Sequence, residues 1–337
     1  MSRRLLAFGE IMLRMSPPGR ELLMQTPRLD VWVAGAEANV ATQLARLGHT
    51  VSFASRVPDN DLGRAAITTL RGHGVDTRNI HYGGERIGLY FATSGASSRP
   101  TDVLYDRAGS AFAEAPEAAW DWTALLEGIT RLHISGITPA LGAVPARIAL
   151  AAVQAASARG ISVSFDGNWR GKLWARWDGN PCHILSEIVA YADLMFGDYR
   201  DIGMLLGRSD LSGDNPTQRR SAAEAAFSAF PQLQMIASTT RAIEHVDRHH
   251  LSARIDTRAE SVQEGAVVLA GIVDRIGGGD AFAAGVLHAL ECGQSIAAIA
   301  RTSLALAALK HSLPGDASLF RQTDIDAYLA GQFEVRR

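Results

Sequence analysis

Short apolar or β-branched runs alternate along this chain with longer alanine-rich stretches, and that alternation restricts the possible folds more than any other feature. The runs are LLAFG (5–9), VSFAS (51–55), LHISG (132–136), ISVSFD (161–166), ADLMFG (192–197) and QMIAS (234–238). Between them, residues 39–47, 145–159 and 222–230 repeat Ala and Leu at three- and four-residue spacing, which gathers apolar side chains on one face of a helix. Strands separated by helices call for crossover connections, so the pattern predicts a mostly parallel sheet sandwiched between helical layers. The expected fold class is therefore α/β, a layered α/β/α sandwich.

Two regions break the rhythm. Residues 10–34 and 82–113 carry short polar-apolar alternations, such as GLYFAT and VLYDR, that read as antiparallel strands and predict a small β lid over one end of the core. No internal repeat, low-complexity tract or Pro/Ser linker divides the 337 residues, so the expectation is a single domain over 1–337 with that lid inserted. The polar stretch 208–220 reads as a surface loop.

Composition narrows the partners. With 33 basic and 35 acidic residues the formal net charge is −2, which gives no overall attraction to nucleic acid or to an anionic membrane. A small-molecule partner is expected. The opening MSRRLLAFGEIMLRM resembles a leader until Glu10 and Arg14 interrupt its apolar run, and it reads better as a first strand. Residues 296–309 are apolar but contain Arg301 and are too few to cross a bilayer, so a cytoplasmic protein is expected. Cys182 and Cys292 lie far apart without ligand spacing and read as buried free thiols. His245, His249 and His250 surround Asp247 but read as a solvated loop, so no protein-bound metal is expected.

Chemistry first shows in GIVDRIGGGDAFAAGVLHAL, where Gly277, Gly278 and Gly279 precede Asp280 and an apolar helical stretch. Consecutive glycines at a helix start let backbone amides crowd toward an anion, with phosphate the natural guest. Asp280 would then orient or deprotonate an attacking hydroxyl beside that anion. Taken alone, the segment is equally a glycine turn with an ordinary acidic residue in a first helical turn. Spacing excludes a dinucleotide fingerprint, since Phe282 stands where a third glycine belongs, and no P-loop is present, since Gly167 to Lys172 is one residue short and is followed by Leu173.

In context, DRIGGGDAFAAG resembles the C-terminal signature of the ribokinase/PfkB sugar-kinase family, with Gly278 where an alanine is usual. VAGAEANVATQLARLG (33–48), followed by SRVPDNDLG, resembles that family's N-terminal signature, and the two stand in family order near opposite ends of the chain. The resemblance extends through GLYF, VLYDRAGSA, LHISGITPAL and DGNWRGKLW, and is nearest to the branch that phosphorylates 2-keto-3-deoxygluconate. It implies a ribokinase-like fold and ATP with Mg2+ as phosphoryl donor; a small lid buries little apolar surface alone, so lid pairing in a homodimer or higher homo-oligomer is expected as well. The resemblance also implies that Asp280 is the base and that Gly277, Gly278 and Gly279 form the anion hole, with Asn168 facing the nucleotide phosphates. Gly35, Ala36, Glu37, Ala38 and Asn39 would line the sugar-acid pocket with Tyr90, Tyr105, Asp106, Arg107, Arg170 and Asp316.

Residue chemistry agrees with an acidic substrate, because a carboxylate needs a cation and arginine offers a planar bidentate fork. Arg107 and Arg170 are the candidates; read singly, each is equally a solvated or salt-bridged surface arginine. Tyr90 and Tyr105 could be strand packing, yet a buried phenol needs a polar partner. Two departures from the family pattern stand out. Asp198-Tyr199-Arg200-Asp201 occupies the place of an Asn-x-x-Glu motif, and the segment from Ser238, Thr239, Thr240 and Arg241 lacks the glycines usual beside the nucleotide. The alternatives to a 2-keto-3-deoxygluconate kinase are a kinase for a neutral ketose, for ribose or for 2-keto-3-deoxygalactonate, and a non-catalytic sugar-acid sensor.

Overall fold

The structure, a computed structural model, describes residues 3–213, 215–332 and 334. Its strands are β1 (Arg4–Phe8), β2 (Met12–Ser16), β3 (Asp30–Ala34), β4 (Thr50–Val57), β5 (Ile80–Tyr82), β6 (Gly88–Thr93), β7 (Asp102–Asp106), β8 (Arg131–Ser135), β9 (Ser162–Asp166), β10 (Leu194–Phe196), β11 (Met235–His245), β12 (Arg248–Thr257) and β13 (Ser261–Ala270). Among the described residues, nine of them form one sheet in the order β13-β12-β11-β10-β9-β8-β1-β4-β5. From β11 to β5 every neighbouring pair is parallel, and only β12 and β13 run antiparallel at one edge.

Both faces of this sheet are covered, which is why its strands are apolar at consecutive positions. In β1, Leu5 and Ala7 enter one core while Leu6 and Phe8 enter the other. The first core is closed by helices Ala36–Arg46, Gly278–Glu291 and Ile296–Lys310, and the second by Ala143–Ser157, Pro181–Val189 and Pro216–Ala229. This is the α/β/α sandwich expected from the alternation.

Three local readings are corrected. His245, His249 and His250 do not lie in a solvated loop, because β11 continues to His245 and returns as β12, where His249 is only 1% exposed. From Thr240 onward β11 is polar because it projects beyond the core and is held by its ladder to β12, so no apolar period marks it. Residues 216–220 belong to a helix that starts at Pro216, where the Asn215 side chain accepts a hydrogen bond from the Gln218 amide. The cysteines are free but not buried, Cys182 being half-buried and Cys292 exposed.

The remaining strands form a second sheet in the order β3-β2-β6-β7, drawn from within 10–34 and 82–113. Register sorts its residues by face. Trp32, Arg14, Tyr90 and Tyr105 are cross-strand neighbours in one row, and Val31, Met15, Phe91 and Leu104 form the adjacent row on the opposite face. Arg14 and Tyr90 are buried, whereas Val31 and Leu104 are exposed.

Candidate active site

Parallel α/β sheets expose the carboxyl ends of their strands as a crevice, and the chemistry-bearing residues gather there. Glu10 follows β1, Asp166 ends β9, and Asn168 and Arg170 follow it directly. The opposite wall is the start of the helix Gly278–Glu291. Gly277, its N-cap, has φ +80°, and a Cβ there would lie 1.8 Å from the Asp316 carbonyl oxygen, so only glycine allows this turn. The Gly278 amide donates to the Arg275 carbonyl at 3.2 Å. The amides of Gly279 and Asp280 find no acceptor among the described residues, as expected of a first helical turn, and are left for an anion.

Asp280 lines a cavity of about 500 Å³, and the adjacent Gly279 touches that cavity and two others of about 400 and 410 Å³. Its Oδ2 accepts a 2.6 Å hydrogen bond from Asn39 Nδ2, which fixes the carboxylate against the helix Ala36–Arg46. That helix is tied in turn to the end of β1, since Gly35 has φ +139° and a Cβ there would lie 2.3 Å from the Glu10 carbonyl oxygen. Glu37 is buried and accepts from both the Ser135 hydroxyl, at 2.6 Å, and the Ser135 amide, at 3.1 Å. Burial pushes the Asp280 carboxyl up to about 7, with Asn39 opposing the shift and the charge of Asp316 adding to it. Burial and then the charge of Asp280 push Asp166 up to about 8.

One end of the 500 Å³ cavity is walled by the small sheet. Tyr90 donates its hydroxyl to Asp316, and Arg14 bridges Asp316 at 3.0 Å and Asp274 at 2.6 Å. Beneath them the buried Lys310 ammonium donates to the Leu313 carbonyl at 3.1 Å. Arg107 is 4% exposed and ion-paired with the buried Glu10, its guanidinium carbon 5.9 Å from the Tyr105 ring centre. Of the residues singled out from sequence, Gly35, Ala36, Glu37, Asn39, Tyr90, Tyr105, Arg107, Asn168, Arg170, Gly277, Gly279, Asp280 and Asp316 line this cavity. Three are placed elsewhere. Asp106 alternates onto the other face of β7 and pairs with Arg86, Ala38 packs into the core, and Gly278 lines the neighbouring cavity under His311.

At the other end three arginines converge without an ion pair among the described residues: Arg170, Arg241 and Arg275, all lining this same cavity. Burial and the charge of Arg275 lower the Arg241 pKa, the mark of two cations held close together. Asp198 and Asp201 line the adjacent cavity with Asp166. Asp201 accepts from the Asp198 amide at 2.8 Å in a capping box, and burial raises its carboxyl to about 6. Three carboxylates around one cavity are oxygen donors suited to Mg2+ carried in with a phosphate ligand, and such a cation would favour their ionised forms.

Sequence reasoning did not select Glu10, Arg14, Asp166, Arg241, Arg275 or Lys310. Asp166 and Arg275 stood inside motifs already quoted, DGNWR and DRIGGGD, and their charge beside the glycine turn was the available signal. Arg241 carried none, since its place depends on the β11–β12 hairpin.

A family model of pfkB family carbohydrate kinases matches residues 2–322. A 2-dehydro-3-deoxygalactonokinase of Haloferax volcanii is 34% identical over 334 residues, covering 98% of each chain. A 2-dehydro-3-deoxygluconokinase of Bacillus subtilis is 27% identical, covering 84% of this chain and 82% of its own. The crystal structure of a 2-dehydro-3-deoxygluconokinase from Thermotoga maritima superposes with a TM-score of 0.93 at 35% identity, covering 98% of this chain and 99% of the other. Among the described residues, no helix is long and apolar enough to cross a membrane.

Proposed function

We propose that this chain, which belongs to the pfkB family of carbohydrate kinases, transfers the γ-phosphate of ATP to the terminal hydroxyl of 2-keto-3-deoxygluconate. The observation that carries the reading is Asp280, anchored by Asn39 beside the free amides of Gly279 and itself, in a cavity walled by tyrosines at one end and arginines at the other. Asp280 takes the proton of the sugar hydroxyl as its oxygen attacks phosphorus; the bond from phosphorus to the bridging oxygen breaks, and ADP leaves. The two amides and Arg170, Arg241 and Arg275 stabilise charge on the transferring group. Mg2+, when bound with ATP, would neutralise phosphate charge next to Asp166, Asp198 and Asp201.

From the helix-start end Arg170 offers an unpaired guanidinium to the substrate carboxylate, and at the sugar end Arg107 retains an Nε without a partner. Tyr90 and Tyr105 give the sugar a polar-edged aromatic wall. The small sheet acts as a lid that closes over the sugar and excludes water from the phosphoryl group. Its exposed row of Val31 and Leu104 would be covered by the lid of a second copy, giving a homodimer. A cytoplasmic location follows from this metabolic role.

The galactonate epimer is the second reading, favoured by the Haloferax volcanii relative at 34% identity over nearly the full chain. ADP release with Mg·ATP, measured on both 2-keto-3-deoxy sugar acids, fructose and ribose, tests the assignment. Turnover of a sugar acid at least tenfold faster than of either neutral sugar is expected, and its epimer preference decides between the two readings. Equal turnover of fructose would overturn the carboxylate argument, and no ADP release with any of the four would favour a sensor.

A further inference from the structure

We propose that His49, His288 and Cys292 form a binding site for a zinc ion, away from the phosphoryl-transfer site. The three come together from two elements. His49 lies in the turn that follows helix Ala36–Arg46, its amide bonded to the Leu44 carbonyl at 3.1 Å. His288 sits in the last turn of helix Gly278–Glu291, and Cys292, four residues on, is its C-cap, so both project from the same side. His49 Nε2 lies 2.8 Å from His288 Nδ1, the Cys292 sulfur lies 4.0 Å from the same Nδ1, and all three ligand atoms fall within 4.8 Å of one another.

Those separations fit one tetrahedral ion. With zinc bonds of about 2.0–2.1 Å to nitrogen and about 2.3 Å to sulfur, ligand atoms around one centre stand roughly 3.3–3.6 Å apart. Here the two nitrogens would open by a few tenths of an ångström and the sulfur would close by a similar amount. Zinc would replace the hydrogen bond between the rings, for which both imidazoles must offer a lone pair.

The surroundings neither expel a cation nor supply a competing ligand. Arg3 and Glu291 both act on His49, and Glu291 is ion-paired to Arg3 at 2.9 Å and to Arg131 at 2.6 Å. Asp326 and Gln322 lie against His288. Two cations and two anions thus leave the site near neutral before the thiol ionises, and the ion would rest at a helix C-terminus, where positive charge is favoured. Cys292 is exposed, so a water completes the fourth position. A thiolate with two imidazoles selects zinc over magnesium, which prefers oxygen. Asp280 lies eight residues back along the same helix, about 12 Å at 1.5 Å per residue, so this ion is not the one carried by ATP.

Chelator-stripped protein titrated with Co2+, then with Zn2+ in competition, tests the site by a spectrum independent of kinase turnover. One equivalent of Co2+ should give the intense visible bands of tetrahedral cobalt and a thiolate charge-transfer band, both abolished by one equivalent of Zn2+. Cys292→Ser should remove the charge-transfer band, His49→Gln should weaken binding at least tenfold, and Cys182→Ser should change neither. Circular dichroism checks that each variant is folded. A histidine–histidine hydrogen bond alone is indicated, and the proposal overturned, if Co2+ gives only the weak spectrum of an octahedral ion or if folded Cys292→Ser keeps the charge-transfer band.

Discussion

The two ends of the active-site crevice neutralise charge in opposite ways. At the small-sheet end both arginines are matched, Arg14 with Asp274 and Asp316 and Arg107 with Glu10, while the Lys310 ammonium is held by hydrogen bonding to a carbonyl. At the helix-start end Arg170, Arg241 and Arg275 have no ion pair among the described residues, and two helix amides lack acceptors. Matched charges fix side chains in one geometry, which suits a pocket that must orient a single hydroxyl. Unmatched cations repel one another until a multiply charged anion arrives, so that end is built around a ligand that enters and leaves. Asp280 lies on the boundary, where a positioned hydroxyl meets a transferred phosphoryl group.

The comparison can be broken at its boundary first. Asp280→Asn keeps the bond geometry to Asn39 within reach but removes the base, and should lower turnover about 10²–10⁴-fold in the ADP-release assay while leaving ATP binding intact. The next largest effect belongs to the matched end. Arg107→Ala leaves Glu10 buried without a partner and should cost about 3–5 kcal/mol in denaturant unfolding, most of it recovered by adding Glu10→Gln. A loss below about 1 kcal/mol would mean that the pair is not what orders this wall.

At the unmatched end the sign changes. Arg241→Ala and Arg275→Ala should each weaken Mg·ATP by about 1.5–3 kcal/mol, tenfold or more in KM, with stability unchanged or slightly raised as repulsion is relieved. Destabilisation by either variant would place it among the matched charges instead. The smallest effect sharpens the comparison in time. Hydrogen exchange in β2, β3, β6 and β7 should slow when sugar acid saturates the protein, while β1, β8 and β9 change little. Unchanged exchange in all four would argue against a closing lid, and a monomer by light scattering would separately exclude the lid-to-lid dimer.

The matched end was largely legible in the sequence because its parts lie in short motifs. GAEAN supplies Gly35, Ala36, Glu37 and Asn39, GLYF supplies Tyr90, LYDR supplies Tyr105 and Arg107, and LPGD supplies Asp316. What escaped was pairing across the chain. Nothing local links Arg14 to Asp316, or Glu10 to Arg107, so the salt bridge weighed for Arg107 had no partner that the sequence could name, and it is buried rather than at the surface. Asp106 was misplaced by one step of a period-two strand, since its neighbours Tyr105 and Arg107 do face the cavity. The unmatched end was less legible because Arg241 depends on a polar hairpin whose stability comes from backbone pairing, which leaves no apolar signature.

The central claim, that Asp280 is the base at the boundary of the two ends, is tested most directly by the pH dependence of kcat/KM for the sugar acid, which reports ionisations of the free enzyme. Only ionised Asp280 can accept the proton, and its carboxyl is held up to about 7 by burial, so kcat/KM should climb with pH through an inflection near that value and then level off. Asp280→Asn should abolish the inflection along with most of the rate. A profile that is flat across this range in the unmodified protein, or an inflection that survives in Asp280→Asn, would contradict the assignment.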